Sequence, residues 1–533
     1  MISINQNLNN AILKVTKRAE SSNRAHLVST FVDVGPLFTL LSNIENQILF
    51  GRRGTGKTHA LSYLANYVDE SGDIAIQIDM RNIGSSGGIY SDSSLGISER
   101  ATTLIVDTLS AMHDSLLEYV IQKSEEVNLA VVGPLLDNLA DAITQVKVVG
   151  EVQVEDHSSD RRVTQEGEKL SLSYDKGIKL GYELNDSNQN ESTNSRKVNR
   201  TGRERLRIHF GTVKKFISAI LKSVAPKRLW IILDEWSEVP IDLQPYLADL
   251  LKRTLLSVEG VSVKIAAIEQ RCNFRITEDG SLDIGIEIGA DVAASLNLDE
   301  YMVFENSSEN AKDFFGQLIF KHIASIIPAD DLKGIKTYEQ FTKLAFTQVN
   351  AFDEFVKASE GVPRDAINIL GIAAQQAKSS PISIPNIRHA AKVWFNRSKE
   401  TAITPRPGAT TLLQWIITEV IAHRRARAFL LRSDVKDPLI DFLFDSRVLH
   451  VIKQSVSSHD SPGVRYNVYS IDYGCYVDLI TTTRAPEGLF EVETEEGSQF
   501  VDVPSNDYRA IRRAILDLGK FKEFQATQGV MIY

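Results

Sequence analysis

Along the chain, short unbroken apolar runs alternate with stretches in which apolar residues return every three or four positions. Gln47-Ile48-Leu49-Phe50, Ile74 to Asp79, Leu229 to Asp234 and Val261 to Ile268 are runs of strand length. Runs without polar alternation suit strands buried on both faces, as parallel strands are. Between them, Ala60, Leu61, Leu64, Ala65 and Val68 recur at helical spacing, and Ser98 to about Glu126 does the same. A helix is predicted from about Asn7 to Glu20, with Leu8, Ile12, Leu13 and Val15 on one side, and a short one after Pro36. Strands alternating with helices predict an α/β fold around a parallel sheet.

The period changes at about Asp141 and stays changed to Asn194. Val146, Val148, Val152 and Val154 alternate, as do Leu170, Leu172 and Tyr174, then Ile178, Leu180, Tyr182 and Leu184, with Asp175-Lys176-Gly177 a hairpin-turn sequence. This reads as a β insertion, closed by the polar stretch Ser187 to Ser195. A basic run follows: Arg196, Lys197, Arg200, Arg203, Arg205 and Arg207, then Lys214 and Lys215. It either follows a phosphate backbone or is a solvated face. Pro245 to Arg253 reads as a helix and Tyr301 to Phe304 as a last strand, after which the pattern is mainly helical to about Arg397. Beyond a linker at Thr404 to Gly408, helices over Leu412–Ile421 and Pro438–Phe444 precede strands at Val448–Ile452 and Val464–Ile471, around Ser457 to Gly463. Helices followed by a hairpin predict a winged-helix-like unit. A final helix is predicted from Ser505 to about Lys520, carrying Arg509, Arg512 and Arg513.

The chemistry enters at the first strand. Gly51-Arg52-Arg53-Gly54-Thr55-Gly56-Lys57-Thr58 fits G-x-x-x-x-G-K-[ST], between a strand and a helix as that pattern requires. Glycines let backbone N–H groups curl around a polyphosphate, and the helix N-terminus adds a positive dipole end. The candidate phosphate contacts are Gly51, Arg52, Arg53, Gly54, Thr55, Gly56, Lys57 and Thr58, with His59 behind them. Lys57 can reach the β- and γ-phosphates, and Thr58 can ligate Mg2+. The strand Leu229 to Asp234 ends in two carboxylates; Asp234 is the second candidate Mg2+ ligand, and Glu235 the candidate that polarises an attacking water. The loop Gly84-Ser85-Ser86-Gly87-Gly88 follows another strand, at the edge of the sheet where ligands bind. After the strand ending at Ile268, Arg271 can sense a γ-phosphate or reach a neighbour's, with Arg253 and Arg275 competing for the second role. In Ser359 to Asp365, Gly361 and Pro363 set a tight helix start that fixes Arg364.

Composition is that of an ordinary globular chain: 533 residues, 43% hydrophobic and 24% charged, enough for about two to four domains. A net charge of −10 argues against coating nucleic acid non-specifically, while leaving room for a local basic surface. Cys272 and Cys475 form neither a metal-ligand spacing nor a disulfide framework, which suits a reducing, cytoplasmic setting. The N-terminus lacks the order of a signal peptide, and no apolar run approaches the ~18–20 residues that span a bilayer, so no membrane partner is expected.

Together the motifs resemble an AAA+ ATPase of the initiator, origin-recognition-like type, and the related STAND NTPases. The resemblance covers roughly residues 25–400. It rests on the phosphate loop, on Leu233-Asp234-Glu235, on a sensor-1 position near Gln270-Arg271 and on Gly361-Val362-Pro363-Arg364 as a sensor-2 motif. It implies ATP rather than GTP, with Mg2+, and a helical lid that swings Arg364 onto the γ-phosphate. The chain departs from that pattern in its β insertion and in carrying Glu269-Gln270-Arg271 where Asn or Thr is common. The implied division is a P-loop base at 1–305 with the insertion at about 141–194, a helical lid at 306–403, and a winged-helix-like domain at 404–533.

In initiator-type proteins that last domain binds double-stranded DNA. Here Arg424, Arg425, Arg427, Arg432, Lys436 and Arg447 supply positive charge, whereas Asp437, Asp441 and Asp445 oppose it and favour protein contacts. The function expected is a Mg2+-dependent ATP-hydrolysing switch acting on DNA. The alternative is a STAND-like signalling or defence scaffold that forms a homo-oligomer with ATP and recruits a partner effector protein.

Overall fold

The computed structural model describes residues 4–530 apart from 17, 20–21, 34, 84–89, 91, 93, 145, 157–166, 169–179, 186–195, 207, 225–226, 278–282, 294, 300–307, 329–333, 424–425, 458–462, 481–489, 495–496 and 502–514; along 146–206, 422, 490–501 and 527–530 it describes the backbone alone. Helices α1 (Ile4–Lys14), α2 (Arg24–Thr30) and α3 (Leu37–Leu41) lead into β1 (Gln47–Phe50), α4 (Lys57–Glu70), β2 (Ile74–Asp79), α5 (Ile97–Gln122) and α6 (Leu129–Thr144). An antiparallel sheet of β3 (Val146–Asp156), β4 (Gly167–Glu168), β5 (Leu180–Asn185) and β6 (Arg196–Leu206) follows, in the order β3-β6-β5-β4. Then come α7 (Phe210–Ser223), β7 (Leu229–Asp234), α8 (Gln244–Leu251), β8 (Val261–Ala267), the short ribbon β9 (Arg275–Ile276) and β10 (Ile284–Gly285), and β11 (Leu296–Asn297).

The main sheet has five strands in the order β11-β1-β8-β7-β2, every pairing parallel. Strand residues point alternately to opposite faces, and the two faces are visible in the packing. Leu49, Trp230, Ile232 and Ala266 meet Leu61 and Leu64 of α4 on one side. Ile48, Ile231, Leu233 and Ile265 meet Leu104, Leu109 and Met112 of α5 on the other. Every position of β1, β7 and β8 is buried, as their unbroken apolar runs predict. Lys264 is the charged exception in β8, and its buried ammonium donates to the carbonyls of Asn43 (2.6 Å) and Glu45 (2.8 Å) and to Gln47.

The α4-side core runs on without a break into five helices, Ser308–Ala324, Tyr338–Ala345, Val349–Ala358, Pro363–Ala377 and Ile384–Trp394, held by the fully buried rings of Phe315, Phe341 and Phe355. It reaches the C-terminal unit as well. There a helix (Pro407–Ile416), β12 (Ala428–Arg432), a helix (Pro438–Asp445), β13 (Leu449–Ser457) and β14 (Arg465–Ile471) build an antiparallel sheet in the order β12-β14-β13. One helix, Pro438–Asp445, lies between β12 and β13, and the hairpin of β13 and β14 follows it. No helix among the described residues is long and apolar enough to cross a membrane.

Several elements differ from the sequence reading. The first helix ends at Lys14 rather than near Glu20. The antiparallel sheet does not start at Asp141, which lies in α6, nor stop at Asn194. The basic run continues it as β6, paired with β3 from Val146↔Leu206 to Asp156↔Arg196, and Lys214 and Lys215 lie on α7. Strand β12 is an element the pattern did not reveal, because the basic stretch before it, His423 to Arg427, reads as surface charge and leaves only a short apolar run from Ala428 to Leu431. Only three residues, 404–406, separate the helices Thr401–Ile403 and Pro407–Ile416, so the expected linker is shorter than it reads. The loop at Gly84 to Gly88, the turn at Asp175 to Gly177, the polar stretch from Ser187, the strand at Tyr301 to Phe304, and Arg424, Arg425, Arg509, Arg512 and Arg513 lie outside the described residues. At the C-terminal end the described helix is Leu518–Val530.

The helix Pro363–Ala377 sits directly on the loop after β1. The Arg364 N–H donates to the Gly54 carbonyl at 3.2 Å. Gly54 has φ +90°, and a Cβ there would lie 2.8 Å from the Arg364 Cβ. Gly72, at φ +85°, faces open space. Gly72→Ala is therefore expected to cost only the left-handed backbone, about 1–2 kcal/mol. Gly54→Ala adds overpacking of about 1–3 kcal/mol. Urea denaturation of the two variants reads the difference, and equal losses would mean that the helix is not seated on the loop.

Candidate nucleotide-binding site

The C-terminal ends of the sheet strands bring the sequence-predicted residues to one edge, where ligands bind in open α/β sheets. The loop from Gly51 to Gly56 leaves β1 and runs into α4, with Gly54 and Gly56 at positive φ. Beside it, Asp234 at the end of β7 is in register with Asp79 at the end of β2. A cleft of about 350 Å3 opens here, within the size range of small-molecule sites. Its walls include Arg53, Gly54, Gly56, Lys57, Thr58, His59, Glu235 and Arg364.

Lys57 is buried, and its Nζ donates to the carbonyls of Gly51 (2.7 Å) and Arg52 (3.1 Å). Burial lowers its pKa, and the carboxylates of Glu235 and Asp234 work against that. The Thr58 hydroxyl donates to the Asp234 carboxylate, which also accepts the Glu235 N–H at 2.8 Å. Burial nevertheless raises the pKa of Asp234 above the ordinary carboxylate value. Glu235 is raised too, by burial and by Asp234 beside it. Its backbone is left-handed at φ +55°, an uncommon setting for a residue with a Cβ and one that aims the side chain away from the strand axis. A buried ammonium, turned-in N–H groups and two carboxylates of raised pKa form a place where a polyanion and a hard cation each gain partners.

The remaining candidates divide. Arg53 pairs with Glu238 at 2.6 Å on the rim, and His59 donates from Nε2 to the Leu27 carbonyl at 2.6 Å. Thr55 turns inward, its hydroxyl donating to the Arg52 carbonyl at 2.9 Å. Arg52 is buried beneath the loop, with Asp299 at 2.7 Å. Arg271 does not reach this cleft: it pairs with Asp445 at 3.3 Å, on the side facing the C-terminal unit. Arg253 pairs with Asp249 four residues earlier, and Arg275 with Asp283 and Glu287.

The cleft also has walls that no motif announces. Thr16, Arg18, Ala19, Ser22 and Leu27 come from the segment before the loop, Leu318 and His322 from the helix Ser308–Ala324, and Ile367 from the helix Pro363–Ala377. His322 is buried among His26 and His59, and burial pushes its pKa down to about 3, so it is neutral. Arg81 follows β2 and grips Asp79 through Nη2 at 2.6 Å. The one available signal was its position, a polar residue just after a parallel strand.

A family model described as ORC-CDC6-like matches residues 15–71. A search of curated proteins gives no match. Among solved structures, the Aeropyrum pernix ORC1 protein in complex with DNA aligns at 13% identity over 84% of this chain and 93% of that one, with a TM-score of 0.31. Drosophila ORC bound to DNA aligns at 10% identity over 86% and 92%, TM-score 0.31. A single-residue variant of Thermotoga maritima RuvB aligns at 12% identity over 50% and 83%, TM-score 0.22. Scores this low leave the fold resting on the strand order and the loop geometry. The family match falls on the segment that carries the loop from Gly51 to Gly56 and the N-terminal wall of the cleft, and over those residues the chain is origin-recognition-like, similar to the ORC-CDC6 group.

Proposed function

We propose that the protein is a Mg2+-dependent ATPase in which bound nucleotide sets the relation between a P-loop base, a helical lid and a C-terminal winged-helix-like unit, divided near residues 305 and 403. The observation that carries this is the cleft in which Lys57, Thr58, Glu235 and Arg364 converge. The Lys57 ammonium exchanges the carbonyls of Gly51 and Arg52 for phosphate oxygens, so its burial is relieved by a stronger, charged partner. Backbone N–H groups of the loop and the α4 N-terminus hold the polyphosphate. Arg364, fixed by the turn at Gly361 and Pro363, adds a cation from the lid.

The oxygen donors Thr58 and Asp234 fit Mg2+, since the raised pKa of Asp234 reflects a buried carboxylate that gains from a cation. When bound, the ion would neutralise phosphate charge. Glu235 is the base: a carboxylate of raised pKa is better matched to taking a proton from water near neutral pH. Arg271 is engaged with Asp445, so sensing of the nucleotide falls to Arg364.

The partner proposed is double-stranded DNA, held at the outer end of β12 and β14. Arg432, Lys436 and Arg465 are exposed there, and Arg432 lies opposite Tyr466 in the strand register. Two of the acids that argue against DNA turn out to face inward or cap a helix. Asp437 accepts the N–H groups of Leu439 and Ile440, and Asp445 pairs with Arg271. Arg447 is withdrawn from the DNA-facing set, because it pairs with buried Asp365.

Lys57→Ala is expected to weaken ATP binding roughly 100-fold, about 2.8 kcal/mol, in a fluorescent-nucleotide titration. Unchanged affinity would remove the phosphate role. Glu235→Gln is expected to bind ATP as the parent does while hydrolysis falls about 10²- to 10⁴-fold. Turnover equal to the parent's would take the base assignment from Glu235. With three cations on the duplex, the plot of log affinity against log salt should have a slope of about −2 to −3. A flat plot, or one unchanged by Arg432→Ala with Arg465→Ala, would exclude DNA at this surface.

A further inference from the structure

Arg52 is an unspecified position of the phosphate-loop pattern, yet it is one of the largest fully buried side chains. Its partners come from four separate segments. Its N–H and Nε donate to Asp299 (2.9 and 2.7 Å), in the segment after β11. Nη2 donates to the Glu360 carbonyl (3.2 Å), in the turn before the lid helix. Nη1 donates to His450 Nδ1, on β13. The guanidinium carbon lies 6.0 Å from the ring centre of Phe444, on the helix before β13.

The proton positions at His450 follow from these contacts. A guanidinium cannot accept, so Nδ1 is the acceptor and the proton sits on Nε2. Nε2–H donates to Asp472 at 3.1 Å. Asp472 pairs with Lys399, Lys399 with Asp365 at 2.9 Å, and Asp365 with Arg447. Asp365 adjoins Arg364, whose N–H rests on Gly54 of the same loop. The contacts thus form a closed circuit that leaves the loop at Arg52, crosses the C-terminal unit and returns at Gly54.

Three cations (Arg52, Lys399 and Arg447) balance three carboxylates (Asp299, Asp365 and Asp472), with His450 neutral between them. Burial alone would raise Asp365, but Lys399 and Arg447 overcome it and hold that carboxyl down to about 2. Burial, with Arg52 beside it, pushes His450 down to about 4, in keeping with its neutral form. A balanced buried network tolerates no missing member, because each loss leaves a charge without its partner.

We infer that His450 is a positioning residue for the phosphate loop: acting through Arg52, it makes the C-terminal unit part of the nucleotide site. The inference rests on the nucleotide reading of the cleft. The Arg52 carbonyl accepts from Lys57 (3.1 Å) and the Thr55 hydroxyl (2.9 Å), so the residue that Lys57 releases on meeting a phosphate is also the residue that holds the C-terminal unit. The two events meet at one residue. Anything that draws the C-terminal unit from the loop then changes nucleotide affinity, and nucleotide changes the hold on that unit by the same factor.

The test is ATP-analogue affinity of the full chain as wild type and as His450→Leu, His450→Gln and Phe429→Leu. His450→Leu removes both the acceptor for Arg52 and the donor to Asp472, and is expected to weaken binding about tenfold. His450→Gln offers an acceptor and a donor on one side chain and is expected to stay within about threefold of wild type. Phe429 is a buried ring of β12 stacked on Tyr469 of β14 and makes none of the circuit's hydrogen bonds or ion pairs; Phe429→Leu loosens the C-terminal core there and is expected to bind as wild type does. Should His450→Leu not fold, Arg52→Lys keeps the charge but gathers its donors on one nitrogen, without the planar fork that reaches Asp299, Glu360 and His450 from three separate nitrogens, and is expected to lose about three- to tenfold. Wild-type affinity in His450→Leu (or in Arg52→Lys when that is the variant read), a loss in His450→Gln equal to that in His450→Leu, or an equal loss in Phe429→Leu would each overturn the inference while leaving the nucleotide reading intact. A wild-type chain that binds no ATP overturns the nucleotide reading, and this inference with it.

Discussion

A buried ammonium needs oxygen atoms around it, and the arrangement of this molecule follows from where Lys57 finds them. In the structure they are the carbonyls of its own loop, at Gly51 and Arg52. Two carboxylates stand close enough to favour its charge without neutralising it through a direct bond. The loop is thereby folded on itself and closed by groups that a triphosphate can replace one for one. Burial raises the pKa of Asp234 and Glu235 for the same reason, since little water remains to solvate their charge. A site with depressed ammonium and raised carboxyl pKa values is poised to take in charge of both signs.

The rest of the chain serves to hold that loop from three directions. The sheet supplies its ends: β1 delivers the loop, and β7 delivers the two acids beside it. The helix Pro363–Ala377 presses from above, where Gly54 leaves no room for a side chain. The C-terminal unit reaches the loop from beneath through the buried guanidinium of Arg52. One hydrophobic core joins α4, the five helices between Ser308 and Trp394 and the C-terminal unit, so these parts are packed as a continuum rather than strung on linkers.

What could be read from the sequence was what is local. The four strands and the loop between β1 and α4 were legible because their patterns are contiguous and their geometry is set within a dozen residues. Arg364 was legible because a glycine and a proline fix the turn before it. Arg52 was assigned to the phosphates, yet its side chain turns away to meet His450, 398 positions later, a distance across which no local pattern carries information. Arg447 and Asp445 looked like surface charges of opposite effect, whereas each has its partner in a different part of the fold. Arg271 followed a sheet strand, as a sensor residue should, but the helix Pro438–Asp445 offers it a carboxylate before the cleft does. The basic run looked like a free cationic segment because strand pairing between residues about 50 positions apart, Val152↔Arg200 and its neighbours, leaves no trace in composition.

The most direct test is a structure of the full chain with a non-hydrolysable ATP analogue and Mg2+, read at Lys57. The account predicts phosphate oxygens in the cleft lined by Gly56, Lys57, Thr58 and Arg364, with Lys57 Nζ detached from the carbonyls of Gly51 and Arg52 and turned onto those oxygens. Nucleotide bound elsewhere, or bound here with Lys57 still on its own loop, would contradict it.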